Sequence, residues 1–576
     1  MKVLLTAVNA KYIHSNLAVY DLRTYAEAYG TGGAQVEIGE YTINHTIDYI
    51  LEGIYKAKPD VLCFSCYIWN LDYVEQLMDE YHKICPEVPI WVGGPEVSYE
   101  TEAFLKAHPQ VTGAMVGEGE ETFLELCENY AKVGAGEKAG KVDLPGIKGI
   151  MYRAGERLIR TGEREPLDLN RIPFCYGGVE DFRNRIIYYE SSRGCPFRCS
   201  YCLSSVEKTL RFQDVERVKK ELAFFLEQKV AQVKFVDRTF NCRHEHAMEI
   251  WKFLIEHDNG VTNFHFEISA DLLTDEEIAL IGQMRPGLIQ LEIGVQSTND
   301  ATITEIHRTM QLDRLKTVVR SIQEKENIHE HLDLIAGLPY EGYEIFARSF
   351  DEIYALKPNQ LQLGFLKVLK GSYMYEHAAE YGLVYRSRPP YEVLKTNWLK
   401  FGEILRIRQV EEMLEVYYNS GQYATAIRLL ETQYASAFAM FAEMGTFYEE
   451  HGYFGMGHSR MRRAEILLEF AKERKPGLLP VLGEGLVYDL YERENLGSRP
   501  SWAADANEWK QIARRYGKNG KQSHVERFFY RFSGHRQDTA SLPERLEEPV
   551  YVRFDYTERD PLDHQARHEY LEPSGE

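Results

Sequence analysis

The chain has 576 residues, 44% hydrophobic and 27% charged, with a formal net charge of −21 at pH 7. Length alone accommodates three or four domains of ~150 residues, and the apolar fraction is that of a soluble globular protein. The acidic balance speaks against binding nucleic acid through the whole surface, and the apolar run at 61–69 falls far short of the ~20 residues that span a membrane.

The nine cysteines are mostly isolated and read as no disulfide framework. The apolar start reads as a first strand rather than a signal peptide. An oxidising compartment would be hostile to an exposed cluster of the kind argued below, so a cytoplasmic location is expected.

Residues 1–140 alternate between the two main patterns. Strands are expected at 3–8, 35–41, 61–67, 90–93 and 111–116, and helices at 17–29, 47–58, 71–84, 101–107 and 121–132. Five such units predict a flavodoxin-like, doubly wound parallel sheet, whose ligands sit beyond the carboxyl ends of its strands. The loops at those ends are rich in glycine and small polar residues. Ser65 opens the loop after the third strand, Gly93 and Gly94 follow the fourth, and Gly117-Glu118-Gly119-Glu120 follows the fifth. Glycines there let a ligand approach the backbone. His14, after the first strand, reads as an ordinary loop histidine.

Residues 141–185 read as a connector, with a β-hairpin at 147–161 and an extended stretch at 167–178. Cys175 reads as a small buried apolar residue rather than a ligand.

The stretch from 186 to 205 concentrates the chemistry. A strand over 186–190 runs into Ser-Ser-Arg-Gly and then Cys195, Cys199 and Cys202, spaced C-x3-C-x2-C. Three thiolates on one loop can converge on one inorganic centre, and a 4Fe-4S cube usually takes four. A cube held by three would keep one iron open to an external ligand. Gly194 and Pro196 keep the loop tight, and Tyr201 provides a flat wall beside the centre. The alternatives are three free thiols or a zinc site with Cys242 as a distant fourth ligand. Zinc sites usually show a second Cys or His pair, and none stands here.

Gly194-Cys195-Pro196-Phe197 and Cys199-Ser200-Tyr201-Cys202 resemble the motif of the radical S-adenosylmethionine (radical SAM) superfamily. Joined to the preceding α/β domain, with its G-G-P and G-E-G-E turns, the chain resembles the cobalamin-dependent members of that superfamily. The usual Asp-x-His-x-x-Gly signature of other cobalamin proteins is absent.

Downstream, strands are expected at 232–236, 265–269, 288–294, 331–335 and 360–365. With the strand before the cysteines this makes six β-α units, fewer than a closed barrel's eight, and fits the (β/α)6 partial TIM barrel of the family. Asp237 follows the second strand and would cap a helix or accept from an ammonium group; the resemblance implies contact with the SAM amine. Glu267 closes the third strand. Gly294, Gln296 and Ser297 close the fourth in a G-x-Q-S turn, placed by the resemblance near the SAM ribose and carboxylate. Arg308 suits the SAM carboxylate, because its planar fork binds carboxylates bidentately. Gly337 lies in the D-x-I-x-G-L-P segment, which in the family flanks the adenine.

After residue 375 the alternation stops. Helices are expected over 391–418, 423–450 and 459–475, and a closing strand over 550–556. A basic, aromatic-rich stretch runs through Lys510, Arg514, Arg515, Tyr516, Lys518, Lys521, Arg527, Phe528, Phe529, Tyr530, Arg531, Phe532 and Arg536. That mixture suits nucleic acid, but a buried aromatic face with solvated cations is preferred.

The expected architecture is therefore a cobalamin-binding domain (1–140), a connector (141–185), a radical SAM core (186–374) and a mostly α-helical C-terminal domain (375–576) that recognises substrate. The expected cofactors are a 4Fe-4S cluster, SAM and cobalamin, with flavodoxin or ferredoxin as electron donor. Expected activity is reductive cleavage of SAM to a 5′-deoxyadenosyl radical and methylation of an unactivated position. The alternatives are a non-methylating cyclase or rearrangement enzyme and a non-catalytic cobalamin or redox sensor.

Overall fold

The computed structural model describes residues 1–133, 142–206, 209–503, 509–511, 522–532 and 540–571. The boundary expected near residue 140, and Arg514, Arg515, Tyr516, Lys518, Lys521 and Arg536 of the basic stretch, lie outside the described residues. The chain divides into two compact units. One comprises Met1–Ile289, Thr304–Met310 and Leu366–Thr396, the other Gln290–Ile303, Gln311–Phe365 and Asn397–Glu576.

In the first unit, seven strands form one sheet: β1 (Lys2–Asn9), β2 (Gln35–Thr42), β3 (Val61–Ser65), β4 (Ile90–Gly93), β5 (Gly113–Met115), β6 (Ile150–Ala154) and β7 (Arg157–Arg160). Their order is β2-β1-β3-β4-β5-β6-β7. The first five are mutually parallel, in the flavodoxin-like order 2-1-3-4-5 with its switch point between β1 and β3. Burial explains the sequence: β1 is buried along almost its whole length, as an interior parallel strand covered on both faces must be. Its Leu4 and Val8 share a core with Leu62, Phe64, Ile90 and Val92 and with Ile54, Leu77 and Tyr81 of the covering helices. The connector hairpin does more than link. It extends this sheet through antiparallel pairing of β6 on β5 and β7 on β6.

The same unit continues with β8 (Ile187–Tyr189), the short pair β9 (Ser192–Arg193) and β10 (Arg211–Phe212), then β11 (Gln232–Phe235) and β12 (Asn263–Ile268). β8, β11 and β12 run parallel, and Phe264 N–H of β12 donates to Leu288 C=O at 2.9 Å, where β13 (Ile289–Gln296) begins. Helix starts are chemically marked. Asp214 accepts from the Glu216 and Arg217 amides, and Thr274 and Glu277 form a reciprocal capping box.

In the second unit β13, β14 (His329–Ala336) and β15 (Gln360–Phe365) pair in parallel. Ile289, Leu291, Ile293 and Val295 of β13 are buried, and the alternate residues Gln290, Glu292, Gly294 and Gln296 form its other, polar face. The six strands β8 and β11–β15 occur in the expected β-α sequence.

Helices Phe401–Leu414, Ala424–Glu431, Ala437–Glu450, Arg460–Arg474 and Leu479–Arg493 follow. The helix expected from 391 begins ten residues later, because Val393–Lys395 pairs antiparallel with Val384–Tyr385. The stretch expected as one helix over 423–450 is two, the second restarted by Ser436, whose hydroxyl accepts from the Ala439 amide at 3.1 Å. Leu479–Arg493 was not anticipated; Pro480, Gly483 and Gly485 mask its periodicity.

A π turn, Glu415–Asn419, ends the first of these helices and seals β15. Asn419 accepts from Leu361 N–H and donates to Leu361 C=O, at 3.0 and 2.8 Å. The closing strand, Val550–Arg559, is the centre of a three-stranded antiparallel sheet with Ser523–Phe528 and Ala566–Leu571. Phe528, Tyr530 and Phe532 are buried and the Tyr488 ring packs on Phe528, Phe532 and Phe554, in line with the buried aromatic face preferred above. No described helix is long and apolar enough to cross a membrane.

Candidate functional site: a three-cysteine loop and a glycine-rich sheet edge

The cysteine loop is held by buried polar contacts. Asp237, fully buried at the end of β11, accepts from the Ser191 amide at 2.9 Å and from the Ser191 and Ser192 hydroxyls at 2.6 Å each. Both oxygens thus hold the strand that leads into the cysteines. Burial pushes its carboxyl up to about 6, although the serines draw it down. Ser191 Oγ also lies 3.1 Å from His246 Nε2, a ring kept neutral because burial, then Arg243, push it down to about 4.

Gly194 turns the chain at φ +101°, and a Cβ there would stand 2.5 Å from the Thr209 carbonyl oxygen. Only glycine fits that turn. Beyond it, the Ser200 amide donates to Ile306 C=O at 2.9 Å and Ser200 C=O accepts from Met374 N–H at 3.0 Å. Cys195 Sγ lies 3.5 Å from Thr239 Oγ1. Cys199 is buried, and Arg308 Nη1 donates to its sulfur at 3.7 Å. Burial raises the Cys199 thiol, opposed by Arg308 and by a hydrogen bond from Tyr201. Burial also works against the charge on Arg308, yet Tyr201 and Cys199 more than compensate and its pKa rises. One arm of the guanidinium expected at a carboxylate therefore lies against a cysteine sulfur.

Cys242 is half-buried. Its thiol is pushed up to about 11 by burial first and by Cys195 second. Glu267 lies on the half-buried face of β12.

At the carboxyl edge of the first sheet the loops interlock. Ser65 Oγ accepts from Asn16 Nδ2 at 2.9 Å. Asn70 Nδ2 donates to the Val8 and Ser65 carbonyls at 3.0 Å each, and the Tyr67 and Trp69 rings stack with centroids 4.5 Å apart. Gly93 touches Met115, Gly119 abuts Leu22, and at Gly94 (φ +111°) a Cβ would lie 2.5 Å from the Cys66 carbonyl oxygen. Gly117 (φ +80°) has open space where a side chain would project, which leaves its backbone approachable. His14 Nδ1 sits 2.6 Å from the Tyr188 hydroxyl. Glu118 and Glu120, between and after the glycines, are not free for a ligand. They pair with Arg193, and Glu118 also with Arg211.

In the second unit, a register shift in β13 puts Gln296 at φ +74°. Ser297 and Ser349 hydroxyls donate to the fully buried Glu341, at 2.6 and 2.9 Å, and burial pushes that carboxyl up to about 7 against their pull. Gly337 ends β14 at φ +94°. Glu292 faces His331 across the strands, and with Asp333 these offer three ligand atoms within 4.8 Å of one another; His331 and Asp333 pair at 3.1 Å. Sequence reasoning missed Arg193, Glu190, Thr239 and this group. The Arg-Gly-Cys and Gly-Glu-Gly-Glu runs were in view, but their pairing was not.

Comparison with known proteins agrees with this geometry. Residues 3–127 match the B12 binding domain, 189–353 the radical SAM superfamily and 379–542 a protein family of unknown function, DUF4080. The chain is 28% identical over 356 residues to 2-(S-pantetheinyl)-carbapenam-3-carboxylate methyltransferase from Streptantibioticus cattleyicolor, covering 56% of this chain and 49% of that protein. It is 28% identical over 352 residues to the cobalamin-dependent radical SAM methyltransferase TokK from Streptomyces tokunonensis, covering 57% and 49%. The chain thus spans about half the length of these relatives. The solved structure of the cobalamin-dependent S-adenosylmethionine radical enzyme OxsB, with aqua-cobalamin and S-adenosylmethionine bound, superposes with a TM-score of 0.57 at 15% identity, over 85% of this chain and 79% of that one. The chain thus carries a match to the B12 binding domain followed by a match to the radical SAM superfamily, and its relatives include cobalamin-dependent radical SAM methyltransferases.

Proposed function

We propose that the chain is a cobalamin-dependent radical SAM enzyme that methylates an unactivated position of its substrate. The observation that carries the reading is the three-cysteine loop, its base fixed by the buried Asp237 and its Cys199 faced by Arg308, in one unit with a glycine-edged, flavodoxin-like sheet. Cys195, Cys199 and Cys202 would hold a 4Fe-4S cluster; Ser65, Gly93, Gly94, Gly117 and Gly119 would line the cobalamin site. When bound, these groups supply one electron that breaks the S–C5′ bond of SAM, giving methionine and a 5′-deoxyadenosyl radical, and a carrier for a methyl group taken from a second SAM.

The residues fit that demand. Three thiols with no fourth on the loop leave one iron position for SAM, and Arg308 offsets the negative charge that thiolates bring into a buried pocket. Tyr201 hydrogen-bonds Cys199, Glu267 is the strand-end candidate for SAM contact in the same unit, and Gly294, Gln296, Ser297 and Gly337 are the candidates carried by the second unit. Asp237 acts on the loop. The proposed reductant is a small low-potential protein such as flavodoxin or ferredoxin.

The test is anaerobic reconstitution with iron, sulfide and cobalamin, followed by SAM and dithionite, with Cys199→Ala as control. Formation of 5′-deoxyadenosine and S-adenosylhomocysteine by the wild type, and of no 5′-deoxyadenosine by the variant, is expected. Deoxyadenosine without S-adenosylhomocysteine would turn the reading to a non-methylating enzyme, and neither product from fully loaded protein would refute catalysis.

A further inference from the structure

We infer that Arg193 is a positioning residue that pins the cysteine loop to the Gly117-Glu118-Gly119-Glu120 turn, fixing the cluster site against the cobalamin site; the inference rests on the function proposed above. Arg193 lies two residues before Cys195 and is 17% exposed at its side chain. Its Nε and Nη2 donate to the two Glu190 oxygens at 3.0 and 2.8 Å, and Nη2 also to Glu120 at 2.8 Å. Nη1 lies 3.5 Å from Glu118.

Three carboxylates thus converge on one guanidinium. Glu118 is clasped from its other side by Arg211, the residue directly opposite Arg193 in the β9–β10 pair, and accepts the Leu167 amide at 2.9 Å. The site is short of positive charge. Asp21, fully buried nearby, has its carboxyl pushed well up by burial and then by Glu190 and Glu120.

Two features make this a positioning device. The bonds are short in sequence on both sides: Glu118 stands between Gly117 and Gly119, and Arg193 abuts Gly194, whose turn is sterically fixed. The contact is also a fork. One planar guanidinium reaches carboxylates in several directions at set angles, which an ammonium cannot do. Neighbouring glycines would otherwise let the two loops drift.

The experiment uses the reconstituted full chain with Arg193→Lys, Arg193→Gln and Glu118→Gln. Iron and cobalamin content are measured first. Then the paramagnetic cobalt(II) corrinoid and the reduced cluster are used as spin probes, their dipolar coupling read by pulsed EPR, and both SAM products are quantified. We expect near-normal cofactor content, a shifted or broadened dipolar distribution in both Arg193 variants, and S-adenosylhomocysteine formation down about tenfold to a hundredfold, with deoxyadenosine less affected. Lysine should recover content but not the narrow distribution, and Glu118→Gln should fall between. An unchanged dipolar distribution with wild-type product ratios overturns the inference. So does parallel loss of both cofactors in all three variants, which would make the pin a folding element only. Wild type that binds both cofactors and forms neither product refutes the proposed function alone, and the EPR comparison still decides the role of Arg193.

Discussion

Replacing Asp237 separates the loop's hydrogen bonds from its charge. The carboxylate takes three hydrogen bonds, yet burial still lifts it from 3.8 to about 6. That rise corresponds to about 3 kcal/mol in favour of the protonated form. Because the folded value lies above the unfolded one, this stability is fully present below about pH 4 and is lost as pH climbs through about 6. The neutral amide of Asp237→Asn would carry no such cost. Its carbonyl can accept the Ser191 amide while its NH2 donates to the two hydroxyls, which rotate to accept. Ser191 can then donate to His246 Nε2, 3.1 Å away. Asp237→Ala, by contrast, strands the Ser191 amide and the Ser192 hydroxyl in a buried site, at about 2–6 kcal/mol in total. Hydrogen exchange of residues 186–206, converted to opening free energies at pH 5 and 7.5, reads this directly. Asp237→Asn should exceed wild-type protection at pH 7.5, where the buried carboxylate bears that cost, and lose its pH dependence, and Asp237→Ala should exchange far faster than Asp237→Asn at both. Equal behaviour of the two variants, or a pH slope that survives in Asp237→Asn, would refute the reasoning.

Three further outcomes are expected. Gly94→Ala forces a side chain into a backbone at φ +111° with the Cys66 carbonyl oxygen 2.5 Å away, so the thermal midpoint should fall with about 1–3 kcal/mol of strain and cobalamin titration should weaken while iron content holds. Glu341, raised from 4.5 to about 7, contributes stability that is complete below pH 4.5 and lost as pH rises through 7; Glu341→Gln should flatten the decline in thermal midpoint between pH 6 and 8, and an unflattened decline would assign that slope elsewhere. Iron analysis should find Cys242→Ser as loaded as wild type and Cys199→Ala depleted, whereas equal depletion would revive a four-ligand site.

Most of the fold was legible because its signals are local. Parallel strands buried on both faces must be continuous apolar runs, and β1 and β3 are. Half-buried strands must alternate, and β13 does, residue by residue. The expected strands of the β-α region recur within about two residues. What escaped depended on partners far along the chain. Val393–Lys395 looked helical in isolation and is held as a strand by Val384–Tyr385. Ser523–Phe528 and Ala566–Leu571 have polar, interrupted patterns, and become strands because Val550–Arg559 lies between them. Leu479–Arg493 hides behind its proline and glycines, and is rescued by burying Leu482, Leu486, Tyr488 and Leu490.

The site divides along the same line. The cysteine spacing and the glycines sit within a few residues of one another, so their arrangement could be read directly. Asp237 and Arg308 were singled out as a strand-end carboxylate and a planar cation, but their contacts within the protein were not foreseen. The structure gives the aspartate to Ser191 and Ser192 and turns the arginine to Cys199. Both assignments share one cause: a charged side chain near a pocket must be neutralised or hydrogen-bonded before it can serve a ligand. Here the loop that carries the thiols makes the first claim. Glu118, Glu120 and Glu190 follow the same rule, since three carboxylates crowded at a sheet edge require Arg193 and Arg211 before any cofactor is present. The charged residues nearest the cysteines therefore build the loop's position.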